Sequence, residues 1–294
     1  VGSHLNMALP VRNSSILPAV FAGLFALCQL PLGLLRRKTA FRKKGLLKSP
    51  TAYFGILSIA VGGEIFSALV SPAYGLWGLV LHIIGSRLCV FGITGGIGSG
   101  KSTLGKFMRD NGFIVLDCDQ ISREILVKNH PAHRALVKAF GRSILTESGD
   151  IDREKMAALA WSSDPNRGDA VRKKLSAITH PFITNRLMFK LITARLLRFH
   201  RWVAIEAPLL FETGMHWLCS PILLVDVTEG TQARRVMERV HTPPERVERQ
   251  IRSQSSRDEK LRRADVVFDN EGAVNLLYRQ CADYFYTEHG LAFR

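Results

Sequence analysis

Acidic residues are missing before Glu64, and paired cysteines are missing throughout the 294-residue chain. Cys28, Cys89, Cys118, Cys219 and Cys281 stand singly, with no CxxC spacing and no histidine cluster of metal spacing. That excludes a disulfide framework and a zinc site, and it suits free thiols in a reducing compartment. There is no internal repeat, no RNP-like or zinc-finger motif and no Asn-Lys-x-Asp guanine signature. Those absences count against a GTPase switch and against a nucleic-acid binder, and no nucleic acid is expected as a partner. Glu206 is followed by Ala207, so the acidic pair that closes the Walker B strand of an ATPase motor is absent too.

The formal charge of +15 is unevenly distributed. Residues 1–86 carry eight Lys/Arg against Glu64 alone, net +7, which leaves +8 for the remainder. A basic catalytic domain suits a polyanionic substrate. Asn13 to Leu35 are 23 uncharged residues, long enough to span a bilayer, and the basic cluster from Arg36 to Lys48 follows them. Residues 49–63 and 65–86 are again uncharged, with Ser71-Pro72 as a break. Two membrane segments joined by a basic loop are one reading; a targeting region of mitochondrial type, poor in acid, is another. A helical hairpin packed on the catalytic domain is a third. A simple two-span hairpin conflicts with itself, because its positive loop and the catalytic domain would face opposite sides. Membrane association through residues 13–85 and a mitochondrial location are expected, with a cytoplasmic location as the alternative. Val1 to Asn6 read as an upstream scar and Met7 as the natural start.

One dense motif stands against these absences. Leu88, Cys89, Val90, Phe91 and Ile93 form a short, β-favouring apolar run, as in a central parallel strand. Gly95-Gly96-Ile97-Gly98-Ser99-Gly100-Lys101-Ser102 follows, with the Gly-x4-Gly-Lys-Ser spacing, and Thr103 leads on into a helix. Glycines let successive N–H groups turn into one concavity, and the helix adds the positive end of its dipole, which makes an anion cradle. Lys101 is expected at the β- and γ-phosphates of ATP, and the Ser102 hydroxyl at Mg²⁺ between them. The loop alone does not name the acceptor.

Thr103 to Asp110 read as helix, ended by Asn111-Gly112, and Phe113 to Leu116 as a second strand that delivers Asp117 and Asp119 to its carboxyl end. If the strand continues, alternation across Cys118 puts both carboxylates on one side; a helix cap is the other reading of Asp117. Residues 120–141 read as helix broken at His130-Pro131, and residues 152–161, 169–179 and 181–199 as further helices of an all-helical insert. Trp202 to Ile205, Ile222 to Val227 and Asp265 to Asp269 complete a parallel sheet. Residues 231–260 carry Arg234, Arg235, Arg239, Arg246, Arg249, Arg252 and Arg257 among interleaved acids. A solvated, ion-paired helix accounts for most of them. A lid that closes over the γ-phosphate, hinged at Thr242-Pro243-Pro244, is the functional alternative.

With these residues in view, the chain from about 88 to 285 resembles the dephospho-coenzyme A kinases. The resemblance rests on ITGGIGSGKST at 93–103, LDCDQISRE at 116–124, AITHP at 177–181, EAPLLFE at 206–212 and ADVVFDNEG at 264–272. It implies an α/β P-loop kinase fold with a five-stranded parallel sheet, a helical coenzyme A-binding insert at about 142–200 and a helical lid at about 231–260. The kinase domain then covers residues 87–294, beyond a hydrophobic N-terminal extension at 1–86. It also implies phosphorylation by ATP of the ribose 3′-hydroxyl of dephospho-coenzyme A, the last step of coenzyme A synthesis. By position, Asp119 matches the family's candidate base and Arg123 a neighbouring substrate-site arginine. His180 and Pro181 match its His-Pro in the coenzyme A domain, Arg239 a lid arginine toward ATP, and Asn270 and Gly272 the closure around the adenine. Asp119, Lys101 and Arg239 are the expected catalytic residues, and Asp117 joins the acceptor side. His180, ahead of a proline, is expected extended at a helix start, as a cap or as a ligand contact. Glu206 departs from the family, which usually has Asp there. The rivals are another small-molecule or nucleotide kinase of the same fold and a membrane-tethered P-loop ATPase.

Overall fold

The computed structural model describes Gln29 and residues 72–162, 164–240 and 244–293. Apart from Gln29, the expected membrane segment at 13–35, the basic cluster after it, residues 49–71 of the second uncharged stretch and Thr242-Pro243 of the hinge lie outside the described residues, whereas residues 72–86 of that stretch are described. Those that are described belong to two units that divide between Cys89 and Val90. In the first, helix α1 (Pro72–Leu88) carries His82, whose Nδ1 lies 3.3 Å from Gln29 Oε1. No helix among the described residues is long and apolar enough to cross a membrane.

The second unit is built on five parallel strands, β1 (Val90–Gly95), β2 (Ile114–Asp117), β3 (Val203–Glu206), β4 (Cys219–Asp226) and β5 (Val266–Asp269). Their order is β2-β3-β1-β4-β5. β1 is buried at every position and β4 at all but Asp226, the continuous apolar pattern of a sheet covered on both faces. Helices α2 (Lys101–Asp110) and, later in the chain, Val274–His289 contribute Leu104, Met108, Leu277 and Phe285 to one core with Phe91, Ile93 and Leu223 of the strands. Phe285 is fully buried, its ring 5.0 Å from Phe113 and 5.2 Å from Phe91. Each such side chain contributes roughly 1.5–3 kcal/mol on burial. The connection out of β1 runs to one side of the sheet and that out of β3 to the other, so a crevice opens at their carboxyl ends.

The insert consists of α3 (Cys118–Ile125), α4 (Pro131–Phe140), α5 (Arg153–Ala160) and α6 (Pro165–Ile192), with a π-helical turn at Thr193–Leu197. Leu136, Ile144 and Met156 form its own small core. The two helices expected at 169–179 and 181–199 are one helix of 28 residues, and His180 lies in its interior rather than extended at a start. A helix begins at Pro165 because Asp164 caps it, its Oδ1 accepting from the N–H groups of Asn166 and Arg167. Pro181 removes a backbone donor and costs about 3 kcal/mol inside a helix. The helix runs through it because α6 packs on α3, α4 and α5. Glu124 of α3 also grips it beyond the proline, through Lys190 Nζ at 2.6 Å and Arg186 Nε at 3.2 Å.

After β4 come α7 (Glu229–Val240), α8 (Pro244–Arg252) and α9 (Arg257–Arg263), and α10 (Val274–His289) closes the unit. These three helices hold the arginine-rich segment.

Candidate active site

The glycine loop leaves β1 and enters α2 with no side-chain cap on the helix start. The orphan N–H groups of a first turn are thereby left to an anion. Gly100 adopts φ 97°, and a Cβ there would lie 2.3 Å from Asn270 Nδ2. That approach is needed because Asn270 donates to Ser99 O at 2.7 Å, tying the loop to the turn after β5. Lys101, nearly buried, donates from Nζ to Gly96 O at 2.8 Å and so lies folded along the loop. On the far side Arg235 donates to Asn270 O at 2.8 Å. Glu271 accepts from the Thr228 N–H and from Thr231 Oγ1 at 2.7 Å, and these bonds, the Thr228 N–H first, hold its carboxyl down at about 2.

β2 ends at Asp117 and α3 starts at Cys118, so the expected alternation of Asp117 and Asp119 along a continuing strand does not occur. Asp117 caps α3 instead, its Oδ1 accepting from Asp119 N at 2.8 Å and Gln120 N at 3.1 Å. Such a cap contributes about 1 kcal/mol. Asp119 falls in the first helical turn.

Glu206 ends β3 in register with Ile93 of β1 and Asp117 of β2, and is almost wholly buried. Burial pushes its carboxyl above the usual carboxylate value; a hydrogen bond with Ser102 opposes the rise, and the charge of Asp117 adds to it. Its Oε2 has no hydrogen-bond partner, and Arg109 Nη1 stands 3.9 Å away. A Cβ on Gly105 would meet that oxygen at 2.3 Å. The longer side chain fits only because α2 presents a glycine to it.

Two cavities meet in this crevice. The larger, about 660 Å³, is lined by Ile97, Gly98, Gly100, Lys101, Ser102 and Thr103, by Asn270 and Gly272, and by Arg235, Gln250, Ser253 and Gln254 of the arginine-rich segment. The second, about 370 Å³ and mainly apolar, lies within the insert and is lined by Ser122, Arg123, Arg153 and Met156 among others. Asp119 and Trp161 line both.

Of the residues singled out in the sequence, the loop from Ile97 to Thr103 other than Ser99 meets Asp119, Asn270 and Gly272 in the larger cavity. Gly95, Gly96 and Ser99 shape the loop from behind, and Gly96 faces a separate space of about 220 Å³. Arg123 lies in the second cavity, whereas Asp117, His180 and Pro181 line neither. His180 Nε2 is sealed from solvent without a hydrogen-bond partner. The Arg239 side chain lies outside the described residues. Trp161 was not expected here, and Arg235 was named only as one of the arginines of the lid segment. Arg235 stands one helical turn before Arg239, which is a usable signal; a single tryptophan at a helix end carries none.

A donor set for a cation is present in part. Ser102 is the second residue of α2 and bonds the Glu206 carboxyl, yet among the described residues no cluster of three or more His, Cys, Asp or Glu could hold an ion. That fits Mg²⁺ carried chiefly by substrate phosphates and water.

A protein-family model described as dephospho-CoA kinase matches residues 89–275. The chain is 36% identical over 192 residues to a dephospho-CoA kinase of Carboxydothermus hydrogenoformans, covering 64% of this chain and 88% of that one. It is 34% identical over 197 residues to a dephospho-CoA kinase of Arabidopsis thaliana, covering 65% and 80%. The crystal structure of TT1252 from Thermus thermophilus superimposes with a TM-score of 0.55 at 33% identity, over 69% of this chain and 98% of that one.

Proposed function

The chain belongs to the dephospho-coenzyme A kinase family and phosphorylates dephospho-coenzyme A with ATP, and we propose that the phosphate goes to the ribose 3′-hydroxyl at the point where Asp119 joins the two cavities. One observation carries this reading: a carboxylate lies on the boundary between a glycine-loop cavity suited to a triphosphate and an apolar, arginine-rimmed cavity in the insert.

The backbone amides of the loop and Lys101 hold the β- and γ-phosphates, and the turn at Asn270 and Gly272 closes around the adenine. Residues 142–200, packed with α3 and α4, act as the acceptor domain, with Arg123 of α3 toward the acceptor, and residues 231–260 act as the lid. Arg239 on α7 is the lid cation, with Arg235 one turn earlier. His180-Pro181 and Asp117 support the acceptor side indirectly, through α6 and the cap of α3. Asp119 positions the 3′-hydroxyl in line with the γ-phosphorus and takes its proton as the oxygen–phosphorus bond forms and the bond to the β-phosphate oxygen breaks. In a loose transition state that proton leaves late, so placement matters more than basicity. Ser102 would help hold Mg²⁺ near Glu206, and the ion would supply neutralisation of the charge that develops on the transferring phosphate. Lid closure excludes water from the transfer.

Steady-state phosphorylation of dephospho-coenzyme A, compared with AMP, CMP and shikimate, tests the reading. A kcat/KM preference for dephospho-coenzyme A of about 10⁴ or more is expected if buried polar contacts read the acceptor. Equal or better use of another acceptor favours the rival kinase.

For residues 1–86 we propose a targeting and membrane-contacting leader. It is supported by the uncharged run at 13–35 and the basic cluster behind it. Sequencing the N-terminus of the protein from its own cells, with fractionation of mitochondria, tests this. A full-length chain in the cytoplasmic fraction contradicts it.

A further inference from the structure

The wall between the two cavities is braced from three sides. Trp161 ends α5 with its indole beneath the Arg172 guanidinium, whose Cζ lies 4.5 Å from the ring centre. Arg172 also donates from Nη1 to Ala160 O at 2.7 Å and pairs with Asp169. Gly168 approaches so closely that a Cβ would lie 3.1 Å from Ala160 O, so the end of α5 and the start of α6 move together or not at all. The third brace comes from elsewhere in the chain. Arg249 of lid helix α8 donates from Nη1 to Ser162 O at 2.8 Å, beside the tryptophan, while its Nε bonds Glu245 O at 3.3 Å within its own helix. Its neighbour Gln250 and Ser253 beyond it line the larger cavity. One guanidinium therefore ties the segment that covers the phosphates to the residue that borders the acceptor cavity.

We propose that Arg249 is a positioning residue that couples the two substrates: an acceptor seated against Trp161 fixes Ser162, Ser162 fixes Arg249, and Arg249 holds α8 over the nucleotide. The inference rests on the reading that ATP takes the larger cavity and dephospho-coenzyme A the smaller. A charge-assisted bond to a carbonyl is directional, so displacement of Ser162 is felt in the lid. By linkage each substrate must tighten the other by the same factor.

The test uses the whole protein and its Arg249→Met and Arg249→Lys variants, with folding checked by circular dichroism and Arg249→Gln as substitute if the Met variant does not fold. Calorimetry gives the affinity for a non-hydrolysable ATP analogue with and without saturating dephospho-coenzyme A. In the unaltered protein the acceptor is expected to tighten the analogue about tenfold, within the usual 5–150-fold range of such couplings, and the analogue to tighten the acceptor equally. Arg249→Met should bring that ratio close to one, and Arg249→Lys, which keeps a cationic donor, should recover most of it. A wild-type ratio retained in Arg249→Met, or a ratio of one in the unaltered protein, overturns the proposal. Turnover of dephospho-coenzyme A in the same samples separates the outcomes: if it persists while the ratio is unmoved, only the coupling is wrong, and if the unaltered protein has none, the functional reading fails with it.

Discussion

On the proposed reading, the glycine loop and the helical insert solve the same problem, holding a charged ligand, by opposite means. The loop does it with main chain: glycines, a helix start and a lysine on contiguous residues, seated on a strand buried at all six positions. The insert does it with side chains from four helices and a small core of its own, around Leu136, Ile144 and Met156. A backbone-built site is rigid because the sheet is rigid. A site walled by side chains is only as well formed as the packing behind it, and the same packing lets it respond to what enters. Asp119 and Trp161, shared by both cavities, are where the two constructions meet.

That contrast can be broken by mutation. The largest effects belong at the junction: Lys101→Ala and Asp119→Asn should each lower kcat by about 10²–10⁴ with the circular dichroism spectrum unchanged. Near-full turnover in Asp119→Asn would remove the acceptor side of the comparison. Leu136→Ala, in the core of the insert, should cost about 2–5 kcal/mol in denaturant unfolding. It should also raise the KM for dephospho-coenzyme A more than that for ATP. Equal losses on both would mean that the two regions are not separate. Gly100→Ala works in reverse: with φ at 97° and the new Cβ 2.3 Å from Asn270 Nδ2, it should cost about 1–3 kcal/mol and weaken the ATP analogue while sparing the acceptor.

The smallest effect concerns Glu206, under the loop. Its folded pKa is raised by burial, so the folded protein holds the proton more tightly than the unfolded chain does. Stability from this group is present below the ordinary carboxylate value and is lost as pH rises through the raised one. Glu206→Gln should therefore be at least as stable as the unaltered protein at neutral pH and show a flatter dependence of Tm on pH on the acidic side. Destabilisation at neutral pH would mean that the charge is compensated better than Arg109 at 3.9 Å and Ser102 imply.

The same contrast explains what could be read in advance. The loop, the five strands and the place of Asp119 beyond a strand's carboxyl end were legible because each depends on local spacing and on the rule that parallel strands deliver ligands there, whereas Asn270 and Gly272 came only through the family resemblance. The continuity of α6 through Pro181 was not, since local propensity says break and only the packing of three neighbouring helices says otherwise. Of the two readings of Asp117, the structure shows the helix cap, because the chain switches to helix at Cys118 instead of continuing as strand. Trp161 left no trace in the sequence and Arg249 was one arginine among seven in the lid segment, because the bond that gives them meaning joins Ser162 to a residue 87 positions away.

The most direct measurement is a crystal of the protein with a non-hydrolysable ATP analogue and dephospho-coenzyme A. The account predicts the triphosphate in the glycine loop and the ribose 3′-oxygen within about 2.6–3.2 Å of an Asp119 carboxylate oxygen, in line with the γ-phosphorus. A 3′-oxygen held away from Asp119, or a triphosphate bound outside the loop, would contradict it.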